Sequence, residues 1–167
     1  MGPKTTENLK AAFAGESQAH MKYLEFADLA KKEGFPNVSK LFTAISFAER
    51  VHATNHHRVL FGSSPTDKNL DTAIGGENYE VKEMYPAFQA AAEQEKEEQA
   101  MMSIRFALEA EKIHAVLYER AKGLVKAGKD LEAGDIHICS VCGHTVIGGA
   151  PDECPVCGAA RERFKKF

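Results

Sequence analysis

No cysteine occurs before position 139, and tryptophan is absent from all 167 residues. A disulfide framework distributed through the chain is therefore excluded. No apolar run approaches the length of a membrane span. Net charge is −3 and the Lys and Arg residues form no stripe, which argues against a nucleic-acid surface. No export signal is read at the start, so a cytoplasmic protein with free thiols is expected. With 44% hydrophobic residues the chain can build one sizeable core and one small appendage.

What is present is unusual for a core. Glu49/His52 and Glu111/His114 are two Glu-x-x-His pairs about sixty residues apart, each on a helical pattern. The first stripe runs Val38, Leu41/Phe42, Ile45, Glu49, His52, His56, Val59; the second runs Ile104, Leu108, Glu111, His114, Tyr118. Acid and imidazole fall where Leu would be expected. A core carboxylate costs several kcal/mol unless something pairs with it, and a metal ion satisfies several at once.

Two more helical segments carry inward acids. Glu16 lies on the stripe Leu9, Phe13, Glu16, Ala19/His20, Tyr23, Phe26. Glu80 and Glu83 share a face with Met84, Ala87 and Phe88 in a helix read as starting after Gly75-Gly76. One Glu from each of two helices and Glu-x-x-His from each of two others is the donor set of a four-helix bundle holding two metal ions. Glu80 and Glu83 supply one acid more than that template needs. Glu93, Glu95, Glu97 and Glu98 read instead as an exposed helix end, and His20 and His56 as satisfied histidines beside the ligands.

All four cysteines form two knuckles, Cys139-Ser-Val-Cys142-Gly143 and Cys154-Pro-Val-Cys157-Gly158. The spacing marks a tetrahedral thiolate site for zinc or iron. Each Gly allows a tight turn that points backbone N–H groups at sulfur. Strands are expected at Ile136–Ile138 and around Thr145–Ile147. So small a module needs its metal to fold. The expected architecture is mainly α: a helical metal domain over 1–130, a Gly-containing linker, and a metal-bound β domain over 135–167.

Punctuation at Gly34/Pro36 and at Gly62 to Pro65 divides the helical part into two hairpins, with a long connection before Gly76 and at most a helical turn within it. Ala-Glu-x-x-His-Ala ends each half, at 48–53 and 110–115, and Tyr-x-x-Phe recurs at Tyr23/Phe26 and Tyr85/Phe88, which suggests an internal duplication. Pro86 predicts a kink near Lys82. Thr5 or Thr6 is the expected cap of the first helix.

The motifs Ala14-Gly15-Glu16-Ser17, Ala48-Glu49-Arg50-Val51-His52-Ala53, Gly76-Glu77-Asn78-Tyr79-Glu80-Val81-Lys82-Glu83-Met84-Tyr85-Pro86 and Glu109-Ala110-Glu111-Lys112-Ile113-His114, with the two knuckles, make nearly the whole chain resemble a rubrerythrin. That resemblance implies a ferritin-like diiron bundle followed by a rubredoxin-like domain. It implies that Glu49 and Glu111 bridge two irons, that Glu16 holds one, and that Glu80 and His114 hold the other. Glu83 and His52 would be alternative ligands of the first iron, with Tyr23 and Tyr85 as hydrogen-bonding groups behind the ligands and Cys139, Cys142, Cys154 and Cys157 around a single iron. It further implies reduction of hydrogen peroxide to water with electrons from NAD(P)H through a reductase or rubredoxin. His144 follows the first knuckle where Tyr is frequent in the family, and no aromatic precedes Cys139.

Two other functions compete. A ferritin-like iron store or ferroxidase would need no thiolate relay, and a zinc-ribbon adaptor would need no inward carboxylates. The last helix runs about a dozen residues beyond His114, carrying the chain ~20 Å from the helical site at 1.5 Å per residue. The small domain is therefore expected to serve the site of a partner chain in a head-to-tail homodimer, possible also with exchanged hairpins.

Overall fold

The structure, a computed structural model, describes residues 1–132 and 134–167. The chain forms two compact units, Met1–Ser63 and Ser64–Phe167. The boundary expected between 130 and 135 thus lies inside the second unit.

The first unit is a helical hairpin of α1 (Pro3–Lys32) and α2 (Pro36–Phe61). Proline sits at the start of both helices, where its missing N–H costs nothing. Extended Gly2 precedes α1, and the Thr6 hydroxyl turns back to the Gly2 carbonyl at 3.1 Å, so neither threonine is the side-chain cap expected. Gly34, at φ 86°, reverses the chain while the Phe35 N–H reaches the Ala30 carbonyl at 2.8 Å. Small residues, Ala27, Ala30, Ser46 and Ala53, fill the buried seam and let the helices approach closely. Buried Ser46 donates to the His20 carbonyl at 2.9 Å, which leaves the His20 Nδ1–H to donate to the Ser46 hydroxyl at 2.8 Å. His20 is a satisfied histidine that pins α1 to α2.

The second unit opens with α3 (Thr66–Tyr79), which runs directly into a π turn over Glu80–Met84 and then α4 (Tyr85–Glu95). The helix therefore begins about ten residues before Gly75-Gly76, which it passes through rather than starts from. A π turn takes the place of the expected kink. The Tyr85 N–H bonds the Glu80 carbonyl five residues back. The wider turn spans Lys82 and absorbs the N–H missing at Pro86. Lys96, at φ 59°, ends α4 amid the exposed Glu run, and α5 (Glu98–Lys126) follows. Both α3 and α4 pack on α5, and Asp71 of α3 pairs with Lys122 of α5.

After α5 the chain turns at Gly128 (φ 69°) and enters a three-stranded antiparallel sheet. β1 (Ile136–Cys139) lies between β2 (Thr145–Ile147) and β3 (Phe164–Lys166), with Ile138 opposite Thr145 and Cys139 opposite Phe164. The sequence reading did not anticipate β3. Its core is Cys139, Cys142 and Cys154 with Phe164, and Phe106 of α5 packs against the same cluster. Among the described residues no helix is long and apolar enough to cross a membrane.

Candidate metal centres

α1 and α2 bring Glu16, Glu49 and His52 together, with one ligand atom of each within 4.8 Å of the others. Glu49 Oε2 lies 3.0 Å from His52 Nδ1. Glu16 and Glu49 share a hydrogen bond. This raises Glu16 above the ordinary carboxylate range and, with His52, lowers Glu49. Two acids this close repel one another when both are charged, and a cation between them would relieve that repulsion.

The second unit repeats the pattern with Glu77, Glu111 and His114, again within 4.8 Å. Glu111 Oε2 is 2.6 Å from His114 Nδ1. Burial, a hydrogen bond to Glu111 and the Glu111 charge push Glu77 up to about 7. Glu80 lies close by. Burial and the Glu111 charge raise it, against the pull of His114. Burial and the same acids also raise Tyr85. Glu83 is exposed and outside both triads. The π turn accounts for this, because more residues per turn swing a residue three positions on away from the face shared by Glu77 and Glu80. Tyr23 packs against Phe26 and Phe42 on the α1/α2 face.

Glu77 is the residue that sequence reasoning passed over. The signal was there. Thirty-three residues separate Glu16 from Glu49, thirty-four separate Glu77 from Glu111, and a Gly precedes each first acid. Reading Gly75-Gly76 as a helix start hid it in the presumed first turn.

Cys139, Cys142, Cys154 and Cys157 form the third group. The Cys139–Cys157 and Cys142–Cys154 sulfurs are 3.7 and 3.5 Å apart. Disulfides need ~2.05 Å; a tetrahedron with ~2.3 Å metal–sulfur bonds has edges of ~3.8 Å. Burial pushes Cys142 and Cys157 up. Burial would do the same to Cys139, but the N–H groups of Val141 and Cys142 aimed at its sulfur bring it down to about 7. The donors therefore fit a thiolate-bound iron. Likewise, the 2.6–3.0 Å carboxylate–imidazole separations suit neighbouring positions around a cation with ~2.1 Å bonds.

The small module sits against its own α5. Gly143 of the first knuckle stands 3.6 Å from the Ala110 Cβ, and Thr145 bonds His114 at 2.8 Å. The expectation that the linker carries this module away from its own chain's helical donors is overturned. The turn at Gly128 sends the chain back along α5 instead of onward from its end.

Comparison with known proteins separates the same two kinds of donor set. A family model described as Rubrerythrin matches residues 7–122, and one described as Rubrerythrin, rubredoxin-like domain matches residues 137–165. Rubrerythrin-2 of Clostridium acetobutylicum is 39% identical, across 98% of this chain and 96% of its own length. Nigerythrin of Nitratidesulfovibrio vulgaris is 33% identical, across 98% and 86%. A solved structure of nigerythrin in a partially reduced state superimposes with a TM-score of 0.58 at 31% identity, covering 100% of this chain and 88% of that one. The two family models follow one another in the same order as the two kinds of donor set, and the chain belongs to the rubrerythrin family, with a diiron centre on its carboxylates and imidazoles and one iron on its four thiolates.

Proposed function

We propose that this protein is a non-haem diiron peroxidase that reduces hydrogen peroxide to two waters, consuming two electrons and two protons, in cytoplasmic defence against oxidative stress. The observation that carries the reading is the position of the Cys142–Gly143 knuckle against the helix bearing Glu111 and His114. A one-electron carrier beside such donors suits a redox enzyme, whereas a ferritin-like store or ferroxidase has no use for it. When bound, the irons supply the electrons for peroxide, replenished one at a time through the thiolate centre from rubredoxin or an NAD(P)H-dependent reductase.

The ligand set we propose is Glu16, Glu49 and His52 with Glu77, Glu80, Glu111 and His114, and Cys139, Cys142, Cys154 and Cys157 for the single iron. Glu49 and Glu111 would be the bridging acids, since each stands between a lone acid on another helix and an imidazole on its own. Glu80, desolvated beside the second triad, would serve with Glu77, Glu111 and His114 in place of exposed Glu83. Glu77, at about 7, exchanges its proton near neutral pH until a cation takes its place. Tyr85, near Glu80, Glu111 and Glu77, and Tyr23 on α1 would hydrogen-bond the acids once these hold the irons.

Steady-state peroxide consumption, with metal analysis on the same sample, tests this. The expected preparation is red from a ferric tetrathiolate and turns peroxide over continuously with a rubredoxin-type donor. A colourless zinc protein, or one that takes up iron and oxidises it without turnover, would favour the adaptor or the storage reading.

A further inference from the structure

His114 is held from both sides. Its Nδ1 faces Glu111, and its Nε2 lies 2.8 Å from the hydroxyl oxygen of buried Thr145, at the start of β2. The same hydroxyl donates to the Gly143 carbonyl at 3.1 Å. A threonine hydroxyl has one proton. If that proton goes to Gly143, the oxygen can only accept from His114, so Nε2 carries the hydrogen. A neutral imidazole protonated on Nε2 presents its lone pair at Nδ1, the atom that lies 2.6 Å from Glu111. The tautomer needed for metal binding at the helices is thus selected by the cysteine module.

We propose that Thr145 is a positioning residue that presets His114 for metal, and that filling the four-thiolate site therefore raises the metal affinity of the helical site. This rests on the functional reading above. The physical link runs through folding. Thr145 is three residues after Cys142, and the Gly143 carbonyl that fixes its hydroxyl belongs to the knuckle itself. A module whose core is three cysteines with Val156, Ala159 and Phe164 packed on them orders only when its metal is bound. With the thiolate site empty, Thr145 is not held and His114 chooses freely between tautomers. Metal loading then has a preferred order, thiolates first and carboxylates second.

The test uses the full-length protein with zinc on the thiolates and the helical site stripped by a chelator. Nitrogen-15 spectra of His114 should show the Nε2–H tautomer in the wild type and in Thr145→Ser, and a mixture in Thr145→Val. Cobalt(II) titration should show about a tenfold or greater loss of helical-site affinity in Thr145→Val, the range found when partners that orient metal-bound histidines are removed. Thr145→Ser should restore it. A Cys139→Ser, Cys142→Ser variant should lose a similar factor, and adding Thr145→Val to it should cost little more. Cobalt bound to the thiolates, with its charge-transfer colour, reports that the module still folds in Thr145→Val. Unchanged tautomer and affinity in Thr145→Val, or additive losses in the combined variant, would overturn the proposal and leave the diiron reading intact. Failure of the wild type to take up metal at these helices overturns both.

Discussion

At the residue scale, each triad sets a second acid beside a carboxylate–imidazole pair, a place where a cation fits. Removing either acid proposed to bridge leaves the rest repelling one another, so Glu49→Ala and Glu111→Ala should each abolish diiron binding. The red tetrathiolate absorbance should persist, because those ligands belong to a separate metal. Iron analysis at two stoichiometries checks this, and a full iron complement in either variant would falsify the bridging role. A pH dependence follows from the raised acids. Glu77 titrates at about 7 when folded, against the ordinary 4.5. Between those values the folded chain keeps a proton that the unfolded chain has released. Stability of the metal-free protein should therefore fall as pH rises from about 4.5 to about 7. Glu16 and Glu80 act in the same direction, and lowered Glu49 opposes them. Thermal unfolding should give a higher Tm at pH 5 than at pH 7.5 without metal, and ferrous or zinc ion should reverse that order by displacing the protons.

At the scale of elements, two local irregularities set the chemistry. The π turn at Glu80–Met84 keeps Glu80 beside the second triad and turns Glu83 away. Glu83→Gln should thus leave iron content unchanged, whereas Glu80→Gln should weaken it, by metal analysis after equal dialysis. The turn at Gly128 returns the β module to α5, where it can act as the electron entry port. A chain ending near Asp130 should retain a diiron centre at saturating iron and be oxidised once by peroxide. With a rubredoxin-type donor its turnover should fall by an order of magnitude or more. Stopped-flow single turnover and steady-state assays separate the two, and undiminished steady-state turnover would show the module to be dispensable.

At the scale of the molecule, each helical unit has too little inside it. The seam of the first unit is alanine and serine, while Leu41, Phe47 and Val59 are 60, 56 and 62% exposed; in the second unit Val116 is 65% exposed. Covering such side chains stabilises by about 1.5–3 kcal/mol each, so an assembled form is expected. The protein should be a homodimer by light scattering. A monomer that keeps full turnover at high dilution would remove the dimer altogether.

The sequence alone determined what depends on short spacing. The Glu-x-x-His pairs, the cysteine knuckles, β1, β2, the hairpin turn at Gly34 and the helix end at Gly62 were legible because each is a local pattern of period, turn residue or ligand offset. It also identified Glu16, through an apolar stripe interrupted at one position. Only the tertiary structure set Glu77 and Glu80 beside Glu111 with Glu83 outside the triads, because a π turn changes which residues share a face and leaves no mark in composition beyond a proline. Only it found β3, three residues whose pairing with β1 spans the whole module. Only it placed Thr145 on His114 and the knuckle on α5, contacts between residues about thirty apart that a linker of either direction would have permitted. A reversal of the chain at one or two left-handed glycines is nearly free in energy, and it moves an entire module, so no nearby sequence pattern could fix where that module would rest.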